Sequence, residues 1–271
     1  MKQNSLPGFG LSLGYTVFWL SAVVLVPLAV LVAQPFGFGW EKFVKAAFSN
    51  RALAAYGVSF GTALAAAAVN FVVGLVAAWV LVRYEFPGRK VLDALVDFPF
   101  ALPTAVAGVC FATLYAPTGW LGGWLEGHGI HVVNTTLGIT IALIFIGFPF
   151  VVRTLQPVLA DFAKESEEAA HALGATRGQT FVRVIFPSIF PALVTGFTLA
   201  FGRAVGEYGS VVFIAGNLPF KTEIAPLVIM AKLDQFDYGG AAAVASVMLA
   251  FSFLTLLVLN AVQTWATKEA K

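Results

Sequence analysis

Three small constellations of side chains in this sequence could do chemistry. In the first, Glu167 and Glu168 precede Ala169 and Ala170, with Leu173 and Gly174 close behind, in a polar stretch (167–187) between long apolar runs. Carboxylates beside small apolar residues suit docking into a partner's groove; a helix lying on a membrane or capping a bundle is the alternative. In the second, Arg203 and Glu207 stand four apart near the end of an apolar run, in FGRAVGEYG. An ionisable group at membrane depth costs at least about 2.5 kcal/mol. The two therefore read as a structural ion pair, the reading favoured here, or Arg203 reads as a group that attracts an anion. In the third, Pro99, Pro103 and Thr104 in PFALPTAVAG could break a helix and offer its N-terminal N–H groups, plus a hydroxyl, to a tetrahedral oxyanion. Simple kinks are the plainer reading.

Other candidates carry less. Asp93 and Asp97 read as structural carboxylates, facing the bundle or its interface. His128 and His131, without a carboxylate or thiol, make a poor metal site, so no metal is expected. His171 reads as an exposed residue of the docking helix. No Ser/His/Asp or Cys/His set and no catalytic carboxylate pair stands out, so no catalytic residue is expected. No GxxxxGK[ST] loop is present to cradle nucleotide phosphates. A transporter driven by ATP would therefore need its ATPase on a separate chain.

The elements that position these groups follow from local rules. Ser166 suits the N-cap of a helix that begins at Glu167 and keeps both carboxylates in its first turn. Gly174 suits a left-handed C-cap. Thr176 and Gln179 have capping-box spacing and start a second helix running to Phe186, after which Pro187 and Pro191 lead into the next apolar run. On the first helix Ala169, Ala172 and Leu173 share a face, away from Glu165 and Glu168.

The rest of the chain is a membrane bundle. Apolar residues make up 59% of the sequence and charged residues 11%, with net charge +2, whereas soluble domains carry about 25% charge. Nothing basic enough to hold nucleic acid is present. The lone cysteine, Cys110, excludes an internal disulfide. Runs near the roughly 20 residues needed to cross a bilayer occur at 13–33, 59–82, 95–115, 137–155, 188–205 and 242–265. The chain thus reads as one all-α membrane domain over 1–271, with a docking segment at 161–187. The first run is too long for a signal peptide and reads as a retained span. Lys and Arg weight one side: Lys2, Arg83, Arg89, Lys90, Arg153, Lys164, Arg177, Arg183, Lys268 and Lys271 face Lys42, Lys45, Arg51, Lys221 and Lys232. This bias places both termini and the docking segment in the cytoplasm. Outside, 40–55 reads as an amphipathic surface helix. The stretch 211–232 reads as a re-entrant piece, a gate or a loop.

The 167–187 stretch resembles the coupling motif of permease subunits of ATP-binding-cassette importers: EAA, three residues, Gly, nine residues, Ile-x-Leu-Pro. Glu168, Ala169, Ala170 and Gly174 match it, and Val184, Phe186 and Pro187 match its end with conservative changes. The stretches LPGFGLSLGYT, VRYEFPGRKVLDALVDFPFALPTAVAG, FPFVVRTLQPVL, GEYGSVVFIAGNLPFKTE and LDQFDYGGAAAVAS extend the likeness over nearly the whole chain. They resemble the T-type permease subunits of bacterial sulfate/thiosulfate importers. That resemblance implies a six-helix type I importer permease in the inner membrane, paired with a homologous W-type permease. It implies two ATPase subunits that bind ATP and magnesium, and a periplasmic sulfate-binding protein. It gives the contact with the ATPase to Glu168, Ala169, Ala170, Leu173 and Gly174. Molybdate or tungstate permeases share several of these elements and are the nearest alternative. An autonomous secondary transporter or channel, and a purely structural membrane subunit, are further ones.

Overall fold

Three long helices, two of them opened by side-chain caps, form the centre of the protein. The computed structural model describes residues 8–162 and 164–269; Lys2 and Lys271, counted above for orientation, and the first two residues of the LPGFG lead lie outside them. The helices are α1 (Phe9–Leu20), α2 (Val26–Phe38), α3 (Trp40–Ala47), α4 (Asn50–Arg83), α5 (Arg89–Val96), α6 (Phe98–Ala101), α7 (Thr104–Tyr115) and α8 (Trp120–Glu126). After them come α9 (Thr136–Asp161), α10 (Lys164–Ala172), α11 (Arg177–Thr180), α12 (Phe186–Val205), α13 (Val211–Ile214), α14 (Ala225–Asp234) and α15 (Tyr238–Glu269). Wide π-helical turns at Ser21–Leu25 and Phe181–Ile185 join α1 to α2 and α11 to α12.

Helices α4, α9 and α12 pack mutually. Ser49 caps α4 by accepting from the Ala52 N–H, and Thr135 caps α9 by accepting from that of Gly138. Lipid is as apolar as a leucine core, so contact between such helices rests on close packing through small residues. Val151 of α9 shows it: a Cβ on Gly196 of α12 would fall 2.8 Å from its Cα, and one on Gly74 of α4 2.7 Å from its Cγ1. Around this crossing lie buried Ala78, Val152, Leu155, Ile189 and Leu193. Towards the other end, α14, α15 and α3 join through Ala47, Ala63, Ala67, Leu143, Phe201, Val228 and Val244.

Among the described residues five helices are long and apolar enough to cross a membrane, and the α7–α8 pair, bent by 47°, makes a sixth segment. The stretch expected as one span at 95–115 is broken into α5, α6 and α7. Pro99 opens α6, and Pro103 forces Leu102 into extended backbone (ψ 133°) because its ring excludes a helical predecessor. The span expected at 188–205 is longer: a single helical run extends from Arg177 to Val205. Pro187 therefore does not start it. The wide turn just before Pro187 absorbs the missing donor. The surface helix expected over 40–55 ends at Ala47, which is fully buried, and residues from Asn50 on belong to α4. The 211–232 stretch folds inward as α13 and α14, burying Val211, Ile214, Ile224, Ala225, Leu227 and Val228. No residue of α1 is buried. Cys110 lies exposed on α7.

Candidate functional site

The docking segment is built from two caps. Helix α10 is already formed at Lys164, so Ser166 lies inside it rather than at its N-cap. At its other end Gly174 is left-handed (φ +85°), the Gly174 N–H donates to the His171 carbonyl at 2.9 Å, and the Ala175 N–H to that of Ala170 at 3.0 Å. This is a Schellman close, which stops the helix and reverses the chain. Thr176 and Gln179 then form the reciprocal capping box that opens α11. One side of α10 faces the bundle: Glu167 meets Arg83, the last residue of α4, at 2.6 Å. The guanidinium N–H groups are not aimed at the oxygen, so the contact is coulombic. The Arg83 guanidinium also lies 5.2 Å above the Trp79 ring. The other side is open: Glu168, Ala169 and Ala172 are exposed and Leu173 is 90% exposed. Of the two carboxylates, Glu167 is thus the anchor and Glu168 the free one. Arg83 had a visible signal, as a cation closing a long apolar run.

Arg203 and Glu207 do pair, at 2.6 Å. The other oxygen of Glu207, which is 2% exposed, accepts from the N–H and hydroxyl of Ser210. That loop touches α7: the Thr104 hydroxyl is pressed against Gly209, and a Cβ on Gly108 would lie 2.4 Å from the Ser210 carbonyl oxygen. The structure therefore gathers Arg203, Glu207 and the N-terminal turn of α7, where Pro103 precedes Thr104, around one short loop. Pro103 is exposed and Thr104 half-buried.

Asp93 and Asp97 share a partner that the sequence reading missed. Arg153 of α9 holds Asp97 with two hydrogen bonds (2.8 and 2.6 Å) and Asp93 with one at 2.7 Å. Gln156 donates to Asp93 at 2.8 Å. The bond from Gln156, then Arg153, holds the Asp93 carboxyl below the usual carboxylate range. A charged residue inside the apolar FPFVVRTLQ run was the available signal. His131 has a carboxylate after all, Glu126 at 2.6 Å, while His128 bonds the Trp124 carbonyl. Among the described residues no group of three potential metal ligands assembles.

Residues 70–268 match the family described as binding-protein-dependent transport system inner membrane component. The chain belongs to that family. It is 48% identical to the sulfate transport system permease protein CysT of Escherichia coli (strain K12), over 97% of this chain and 95% of that protein. It is 49% identical to the protein of the same description from Synechocystis, over 94% and 89%. Among solved structures it resembles a bacterial ABC transporter involved in the import of the acidic polysaccharide alginate (TM-score 0.76, 16% identity, 93% of each chain). It also resembles the alginate transporter in complex with an alginate pentasaccharide-bound periplasmic protein (TM-score 0.73, 17% identity, 96% and 92%). The type I permease fold is thus shared with these transporters. Arg83, α10, Arg153 and the Arg203–Glu207 pair all fall inside the stretch that matches the family, whereas α1 to α3 precede it.

Proposed function

We propose that this chain is a permease subunit of an ATP-driven sulfate/thiosulfate importer, supplying half of the translocation path and no catalysis of its own. The observation that carries the anion is near-half identity, along nearly the whole chain, to proteins described as sulfate transport permeases. Lys and Arg collect at the α10 end, which supports an inner-membrane orientation with both termini and α10 in the cytoplasm.

A homologous W-type permease completes the path, and two separate ATPase subunits bind ATP with magnesium. The exposed Glu168, Ala169, Ala172 and Leu173, with Ala170 and Gly174 shaping the helix, dock on one ATPase. Closure of the ATPases draws the α10 helices of the two permeases together. The movement is carried across the membrane because α11 and α12 form one run from Arg177 to Val205, about 43 Å at 1.5 Å per residue. At its far end Arg203 stands beside the broken start of α7, where Thr104 and the N-terminal end of the helix suit an oxyanion. On the outer side Phe220 and Phe236 are 61% and 78% exposed with φ of 65° and 59°. Left-handed backbone costs such residues about 1–2 kcal/mol each, so exposed aromatics held this way support docking of a periplasmic anion-binding protein.

The test is co-purification from native membranes with identification of the bound chains, then labelled sulfate uptake with molybdate as competitor. An ATPase pair, a second permease and sulfate uptake resistant to molybdate are expected; uptake that molybdate abolishes would reassign the anion. Glu168→Lys and Gly174→Pro should leave the subunit in the membrane and cut uptake per ATP hydrolysed. Normal coupling in both would end the docking role.

A further inference from the structure

At the α10 end a cavity of about 690 Å³ opens between the ends of α4 and α9 and the start of α5. Its walls carry three cations, Arg83, Arg89 and Lys90, beside Asp93, Gln156 and Phe162. The carboxylate of Asp93 is already engaged by Arg153 and Gln156. Arg83 faces Glu167. Among the described residues no ion pair engages Arg89 or Lys90. Arg89 acts on Asp93 only through space, and Asp93 is shared with Arg153, so the walls carry more positive than negative charge in a partly enclosed space.

The surroundings narrow the class of anion. Arg83 ends a long apolar helix, so the cavity sits where hydrocarbon gives way to water. Immediately outside, Val91, Leu92 and Leu95 of α5 are exposed. A soluble phosphate would use the cations and leave that apolar strip without a purpose. A phospholipid uses both: its phosphate enters the cavity and its chains run along the strip. Guanidinium matches phosphate geometry, and basic pockets at the cytoplasmic ends of membrane helices hold anionic head groups.

We propose that this cavity binds the phosphate head group of an anionic phospholipid. Arg83 is both a wall of the cavity and the partner of Glu167, so a bound phosphate draws on the charge that anchors α10. Occupancy of the site therefore tunes how firmly the docking helix is held. This regulatory part rests on the coupling role proposed above, while lipid binding itself does not.

The assembled permease–ATPase complex, purified with mild delipidation and placed in nanodiscs of phosphatidylethanolamine with or without phosphatidylglycerol, tests it by native mass spectrometry of retained lipid. Phosphatidylglycerol should be retained over phosphatidylethanolamine. Retention should fall at least about tenfold in R89A/K90A and persist in R89K/K90R, which keeps the charge. Excess inorganic phosphate should leave it in place. Equal retention by R89A/K90A, equal retention of phosphatidylethanolamine, or release by inorganic phosphate would overturn the proposal, the last by assigning the cavity to a soluble anion. Retention is read without transport, so a complex that carries some other anion would remove the proposed substrate and leave this site standing.

Discussion

Arg203 spends one amino group on Glu207 and keeps 37% of its side chain exposed. Glu207 has no such freedom, being buried and bound on both oxygens. Removing the cation alone leaves a buried carboxylate with Ser210 as its remaining partner, a loss of about 1–3 kcal/mol. Arg203→Gln alone is therefore ambiguous, and the double variant R203Q/E207Q decides. If Arg203 merely neutralises Glu207, the double variant recovers both assembly and sulfate uptake. With Arg203 on the anion's path, assembly recovers and uptake stays at least about tenfold down, the scale of a lost hydrogen bond to a charged group. Asp237, ahead of α15, gives a pH prediction. It accepts from Lys232 at 3.0 Å and from the Gly240 N–H at 2.9 Å, and these two bonds, Lys232 first, lower its pKa. A depressed carboxylate releases its proton more readily when folded, so its contribution is present above the unfolded value of about 3.9. It is lost as pH falls below that towards the lowered folded value. Asp237→Asn keeps an acceptor for Gly240 and drops the charge. Thermal unfolding should show the two proteins differing at pH 7 and converging near pH 3; a constant difference would refute the assignment.

Glycines set how near the elements come. On α12, Gly196→Ala would push a methyl against backbone of α9, 2.8 Å from the Val151 Cα, where no rotamer can yield. It should cost about 2 kcal/mol or more in reversible unfolding of the detergent-solubilised subunit; an unchanged midpoint would show that α9 and α12 can separate freely. Capping was legible in the sequence because it is local. Gly174, Thr176 and Gln179 act on neighbours a few residues away, and the structure keeps all three in those roles. Partners distant along the chain were not legible: Arg153 and Asp93 are separated by 60 positions, and no local rule selects that pair. Counting apolar residues drew 95–115 as one span, whereas Pro99 and Pro103 marked a helix that could break there, and the chain does break at Leu102. Ser166 failed as a cap for the opposite reason, since the helix simply continues past it towards Lys164.

At the scale of the whole molecule, the protein presents three exposed surfaces. The lever α10 offers a bare Leu173, the outer loops offer Phe220 and Phe236, and α1 buries none of its side chains. Leu173 and the two phenylalanines are where the partners proposed above would dock, whereas an unburied α1 is what a membrane span facing lipid shows. The loop that follows α12 meets α7 where Gly108 rests on Ser210. Two positions beyond Gly108 is Cys110, exposed and the single thiol of the sequence. The native subunit thus carries one built-in attachment point for a spin or fluorescent probe. Paired with an engineered thiol on α9, it should report a distance change when nucleotide binds the complex. A trace that never shifts would mean that α7 is scaffolding and that the anion passes elsewhere.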